Sequence, residues 1–171
     1  MGDFLPVPDV LAHLRGRWRV VRSVRDLATG AEGEFSGTTV FSPRDDGGLL
    51  HREIGTFLWQ GVPRPAERTL RFLPGPTPGT ADVRFADGRP FHDLDLTAGH
   101  WRTTHPCVAD LYRGEFEVDN EDRWRTTWRV GGPAKDQLLV TDYTRAPMSG
   151  PARPTARRPA AGSSDPRDPR R

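Results

Sequence analysis

The sequence predicts an all-β protein, an antiparallel up-and-down barrel of about nine or ten strands that follows a short N-terminal helix. Three observations carry this. From residue 17 to residue 145, apolar and polar side chains alternate in runs of roughly 6 to 11 residues, the period of a half-buried strand. Gly, Pro and Asp cluster between the runs, so the chain turns tightly from one to the next. No helical periodicity and no fixed-period repeat occurs after residue 16. A meander of that many strands twists and leaves two edges exposed, and curling closed removes both problems.

Each element follows from its own residues. In "PDVLAHLRG", Asp9 can cap a helix whose Val10, Leu11 and Leu14 share a face, and Gly16 ends it. "RWRVVRSV" (17–24) sets Trp18, Val20 and Val24 against Arg17 and Arg19. "GEFSGTTVF" (33–41) aligns Phe35, Thr39 and Phe41, with Gly37 available for a bend. "LLHREIGTFLW" (49–59) puts Leu50, Ile54 and Leu58 together, which assigns His51 and Glu53 to the solvent side, with cavity lining as the alternative. "RTLRFLP", "ADVRFADG" and "RPFHDLDL" follow, then "DLYRGEFEV" (110–118) with Tyr112, Phe116 and Val118 in phase. "RWRTTWRV" (123–130) places Trp124, Thr126, Trp128 and Val130 inside, and "DQLLVTDYTR" (136–145) closes the domain. "PGPTPGT" (74–80) is a connection that could serve as a lid. "GGPAKD" (131–136) is a hairpin turn whose Lys135 and Asp136 could meet an anionic ligand at the barrel mouth.

Composition narrows the class. The chain has 171 residues and is 35% hydrophobic, with 5 Trp and 8 Phe to carry the burial. One barrel domain, residues 8–145, accounts for all of the patterned sequence. Its apolar runs are too short for a transmembrane helix, so no membrane partner is expected. The N-terminus lacks a basic region followed by an apolar stretch, and there is a single cysteine, Cys107. Both fit a cytoplasmic protein with neither a secretion signal nor an internal disulfide. Residues 146–171, rich in Pro, Ala and Arg, are read as a disordered tail. The chain's net charge is +2; the tail holds six Arg and two Asp, which leaves the body at −2. The tail has no interleaved aromatics, so specific nucleic-acid binding is not expected, while weak electrostatic contact with nucleic acid or an acidic partner stays open.

"LRGRWRV" carries a Gly-x-Trp pair, Gly16 and Trp18, at the start of the first strand, and "TDYTR" ends the last strand on Arg145. This pattern resembles the calycin superfamily, the lipocalins and fatty-acid-binding proteins. The resemblance implies that Trp18 sits at the closed end of the barrel with Arg145 packed across it. Residues 10–145, through "GRWRVVRSV", "DGRPFHDLDL", "HPCVADLYRGEF", "WRTTWRVGGPAKD" and "DYTR", resemble a bacterial domain-of-unknown-function family, number 6314. That resemblance implies a calycin-like barrel and assigns no activity. The chain departs from haem-binding relatives in lacking a glycine-rich opening and a C-terminal proximal His, and from lipocalins in lacking a disulfide.

The densest polar chemistry lies in residues 90–112, "PFHDLDLTAGHWRTTHPCVADLY". Alternation puts His92, Leu94 and Leu96 inward and Phe91, Asp93 and Asp95 outward. His105 and Cys107 share a face, as do Asp110 and Tyr112, and a bulge or tight turn at Val108–Ala109 would bring all four inside; Pro106 disfavours regular pairing there. His92, His105, Cys107, Asp110 and Tyr112, with Trp124 and Trp128, are then the expected ligand-binding residues. Four readings of the polar set stay open: a self-satisfied polar network, polar anchors for a small-molecule ligand, a metal or haem site, and acid–base or nucleophilic catalysis such as an isomerase, cyclase or hydrolase would use. The spacing matches no zinc signature, and no cofactor is identified. The expected function is binding of a small, partly polar molecule in the barrel; an enzyme on the same barrel and a filled structural or interaction barrel are the alternatives.

Overall fold

A computed structural model describes residues 2–147. All but the start of the tail expected at 146–171 lies outside the described residues. Every alternating run forms a strand: β1 (Gly16–Asp26), β2 (Glu32–Pro43), β3 (Leu49–Trp59), β4 (Val62–Pro74), β5 (Thr80–Phe85), β6 (Pro90–Asp95), β7 (His100–Cys107), β8 (Asp110–Asn120), β9 (Arg123–Gly132) and β10 (Lys135–Ala146). The strands form one antiparallel sheet in the order β6-β5-β4-β3-β2-β1-β10-β9-β8-β7. Each pairs with its sequence neighbour except at two places. β1 pairs with β10, with Trp18 opposite Arg145. No ladder joins β6 to β7; those two edges meet through side chains, with Trp101 Nε1 donating to the Asp93 carbonyl at 3.0 Å. The result is a nearly closed barrel. No helix among the described residues is long and apolar enough to cross a membrane.

The N-terminal segment covers one end. Helix α1 (Val10–Leu14) is capped by Asp9, whose Oδ1 accepts from the Ala12 amide at 3.0 Å, and it buries Val10 and Leu14. The chain before it is stitched to two strand ends, from the Leu5 amide to the Val118 carbonyl at 2.8 Å and from the Val7 amide to the Leu96 carbonyl at 3.0 Å. Gly16, with φ at +116°, turns the chain from helix into strand. Trp18 is fully buried beneath, and its Nε1 donates to the Leu14 carbonyl at 2.8 Å. The Arg145 guanidinium stands 4.1 Å from the Trp18 ring centroid and donates to the carbonyls of His13 and Glu121, both at 2.9 Å. Residues 74–80 lie at this same end: the Pro78 carbonyl accepts from the Val10 amide at 2.9 Å and the Gly79 carbonyl from the Leu96 amide at 3.0 Å. They belong to the closure and are not a lid on the mouth.

Strand β3 corrects one face assignment. His51 and Glu53 are each 2% exposed, whereas Ile54 and Leu58 are 50% and 45% exposed. The register decides this. Phe41 and Thr39, inward on β2, pair with His51 and Glu53, so those two must share the interior face. Both faces of β3 carry apolar residues, so hydrophobicity could not choose between them. Gly37 faces Gly55 in the same ladder, and a Cβ on either would collide with the partner backbone.

Strands β5 and β6 correct a second. Val83 pairs with His92 and Arg84 with Pro90, leaving Phe91 as the extra residue of a β-bulge. The bulge brings Phe91 round to pack with His92, Trp128 and His105. Of the bulge or tight turn expected at Val108–Ala109, the structure has the tight turn: Cys107 pairs with Asp110 and Val108 takes φ of 45°, but Cys107 stays exposed. Pro106 keeps its place opposite Leu111 in β7 because β7 is an edge strand, where a missing N–H leaves no ladder partner short.

Candidate functional site

Midway along the barrel the interior turns polar. Arg22 follows Trp18 and Val20 at every second residue of β1, so the strand period points it inward, and its side chain is 12% exposed. It meets Glu53 from β3 in a two-pronged pair, Nη1 to Oε1 at 2.8 Å and Nη2 to Oε2 at 2.9 Å. Its Nε donates to Thr141 Oγ1 at 2.8 Å, and Thr39 Oγ1 donates to Glu53 Oε2 at 3.2 Å. Arg68 on β4 is the ladder partner of Glu53 and stands 3.8 Å from Oε2.

The electrostatics follow from burial and these neighbours. Burial alone would raise the Glu53 carboxyl, but the Arg22 hydrogen bonds and the charges of Arg68 and Arg22 outweigh it and hold the pKa below the usual value. Burial, then the Arg68 charge, push His51 down to about 3, so it is neutral; its Nδ1 is buried without a hydrogen-bond partner. Burial and then Glu53 push the Tyr143 hydroxyl up, so it too carries no charge at neutral pH.

A cavity of about 480 Å³ opens above this layer, toward the end away from α1. Val24, Phe35, Phe57, Trp59, Ala66 and Leu139 form its apolar wall, Arg22, Glu53 and Arg68 its charged floor, and Glu67 and Gln137 complete the lining. The Phe57 and Trp59 rings stack with centroids 5.9 Å apart. Chemically this is a recess that can desolvate an apolar body while a few fixed polar groups orient one end of it.

The residues expected from the sequence are distributed over three places. His92, His105, Tyr112 and Trp128 join one aromatic cluster around Phe91, with centroids 4.8, 5.3, 6.5 and 5.4 Å from its ring. His92 is buried and its Nδ1 is 2.7 Å from the Asp93 carbonyl; burial lowers its pKa, so the neutral ring donates there through Nδ1–H. Trp124 lies deeper, edge-on to Trp18 at 6.0 Å and stacked on Tyr143 at 3.7 Å. Cys107 and Asp110 do not line the interior. They are the last pair before the turn, where no strand continues to cover them. Cys107 is exposed, and Asp110 is held by Lys135 at 3.6 Å. Among the described residues, His92, His105, Asp110 and Tyr112 make no side-chain hydrogen bond to one another, so no proton relay is assembled.

Arg22 and Arg68 are the cavity-lining charges that the sequence reading did not single out, and His51 and Glu53 entered it as interior residues only through the alternative of cavity lining. Phase alone marks Arg22 as inward with Trp18 and Val24, and Arg68 as inward with Leu70 and Phe72. Outside the barrel, ligand atoms of His100, Glu115 and Glu117 lie within 4.8 Å of one another. Glu115 there accepts from His100 at 2.7 Å and from Arg102 at 3.1 Å, which makes the group an ion-pair cluster. His100 opens β7 and stacks on Phe4 at 5.0 Å.

No curated protein matches this chain. Among solved structures it is similar to an S-type phycobiliprotein lyase from Guillardia theta, with a TM-score of 0.60 and 10% identity over 85% of this chain and 95% of the other. It is also similar to a protein of unknown function, of the DUF3598 family, from Nostoc punctiforme PCC 73102, with a TM-score of 0.60 and 13% identity over 84% of this chain; this chain spans 51% of that one. At these identities the likeness is one of fold. The profile of a family of unknown function, DUF6314, matches residues 14–145, and the chain belongs to that family.

Proposed function

We propose that the barrel binds one small, partly polar molecule through its open end. The observation that carries this is the cavity of about 480 Å³ with apolar walls over a charged floor. Its volume falls in the range of small-molecule sites, and a few convergent polar groups in an otherwise apolar recess are what such sites use to fix orientation. Trp128 pairs with Leu139, which lines the cavity, so the aromatic cluster of His92, His105, Tyr112 and Trp128 begins where the lining ends and would supply further contacts.

The test uses N-phenyl-1-naphthylamine, an uncharged fluorophore that brightens in apolar surroundings. The full chain is expected to bind it saturably at one site. Ala66→Phe, which fills the cavity from β4, is expected to weaken that binding about tenfold or more while near-ultraviolet circular dichroism stays native. Leu139→Trp fills the cavity from β10 and guards against a folding defect in the first variant. Non-saturable binding, or equal binding in both filled variants, would overturn the proposal.

A further inference from the structure

We infer that the ligand of this cavity is an organic anion whose acidic group pairs with Arg68. This rests on the cavity being the binding site and adds the charge of what enters it. Two arginines and one carboxylate form the floor, and they are not equivalent. Arg22 directs Nη1 and Nη2 to Glu53 and Nε to Thr141, so the fork is spent within the barrel. Glu53 is likewise occupied, Oε1 by Arg22 and Oε2 by Arg22 and Thr39. Arg68 stands 3.8 Å from Oε2, beyond a hydrogen bond, and among the described residues it pairs with no other carboxylate. Its chain neighbour Glu67 also lines the cavity, but its carboxylate is solvated and stands 4.0 Å from Arg52. The remaining titratable groups of the layer, His51 and Tyr143, are uncharged at neutral pH. The inner layer of Arg22, Glu53 and Arg68 therefore carries a net charge of +1, and Arg68 is the cation in it that no hydrogen bond holds.

Occupancy makes this decisive. Arg68 is 43% exposed, and it is the mouth that hydrates it. A neutral apolar ligand would strip that water and leave a guanidinium without a hydrogen bond in an apolar-walled recess, which is costly. An oxyanion replaces the lost water with a charge-assisted pair in a low-dielectric recess, where such a pair is worth more than in bulk. The planar fork of arginine suits a carboxylate, sulfonate or phosphate equally, and the apolar walls suit a hydrocarbon or aromatic body attached to it.

Two probes of one ring frame separate the charge from the cavity: 1-anilinonaphthalene-8-sulfonate, which is anionic, and N-phenyl-1-naphthylamine, which lacks the sulfonate. The full chain is expected to bind the sulfonate about tenfold or more tightly than the neutral probe. Arg68→Met should abolish that preference while keeping the neutral probe, whose retained binding certifies the fold. Arg68→Lys should restore part of it. Arg113→Met, an exposed outer-face arginine, should leave the preference unchanged. Binding of both probes with equal affinity in the native chain, or an unchanged preference in Arg68→Met, overturns the anion assignment and leaves the cavity standing. Saturable binding of neither probe overturns the cavity reading and this one with it.

Discussion

Replacing Arg22 by Met takes the guanidinium from a glutamate whose side chain is 3% exposed. Glu53 keeps the Thr39 hydroxyl at 3.2 Å and Arg68 at 3.8 Å, and it loses two charge-assisted hydrogen bonds of 2.8 and 2.9 Å. Breaking a buried pair from one side costs about 3–5 kcal/mol, because the surviving charge stays desolvated. Arg68 can swing toward the vacated oxygen, which places the expected loss near the lower figure. For a folded body of this size that corresponds to a melting point lower by about 10 °C. Glu53→Leu alone leaves Arg22 buried without its carboxylate and should cost a similar amount. The double variant Arg22→Met/Glu53→Leu removes both charges and should recover most of the loss, to within about 1–2 kcal/mol of the native chain, the remainder coming from Thr141 without its donor and Thr39 without its acceptor. Urea unfolding of the full chain and the three variants at pH 7, followed by tryptophan fluorescence, closes the cycle. A cost below about 1 kcal/mol for Arg22→Met, or a double variant as unstable as the sum of the singles, would refute the buried-pair argument.

Other consequences follow from the same structure. His51 has a folded pKa of about 3 against an ordinary value of 6.5, so below pH 6.5 the unfolded chain takes up a proton that the folded chain refuses. Its stabilising contribution is full above pH 6.5 and is lost progressively toward pH 3, at about 1.4 kcal/mol per pH unit. The measured slope of stability against pH between 6 and 4 should therefore flatten by about that amount in His51→Leu, and an unchanged slope would show that His51 is not held neutral by burial. Arg145→Ala removes the stack on Trp18 and the bonds to the His13 and Glu121 carbonyls, for an expected loss of about 2–4 kcal/mol. Amide exchange at residues 10–18 should accelerate more than exchange in β2–β4, and equal acceleration throughout would contradict a role confined to the closed end.

Much of the interior can be read directly from alternation. Trp18, Val20 and Val24 on β1, Phe35, Thr39 and Phe41 on β2, and Trp124, Thr126 and Val130 on β9 are inward and buried as their phase requires. His92, Leu94 and Leu96 are buried on the same principle. The method failed where a strand carries apolar residues on both faces, as β3 does, and where the period breaks, as at the Phe91 bulge. A buried charge is a third obstacle. Arg22 stands in phase with Trp18, yet an arginine inside a barrel is credible only once a carboxylate is found to meet it, and that carboxylate lies 31 residues away on another strand.

The sequence by itself therefore determined the strands, their order in a meander, and which faces of β1, β2, β8 and β9 turn inward, because a period of two is a local property of the chain. Only the tertiary structure decided that His51, Glu53 and Arg68 share an interior with Arg22, that Cys107 and Asp110 stop at the rim, and that a cavity remains at one end while Trp18 and α1 fill the other. These depend on register between strands and on how far each strand runs, and a residue's own neighbours in the chain contain neither.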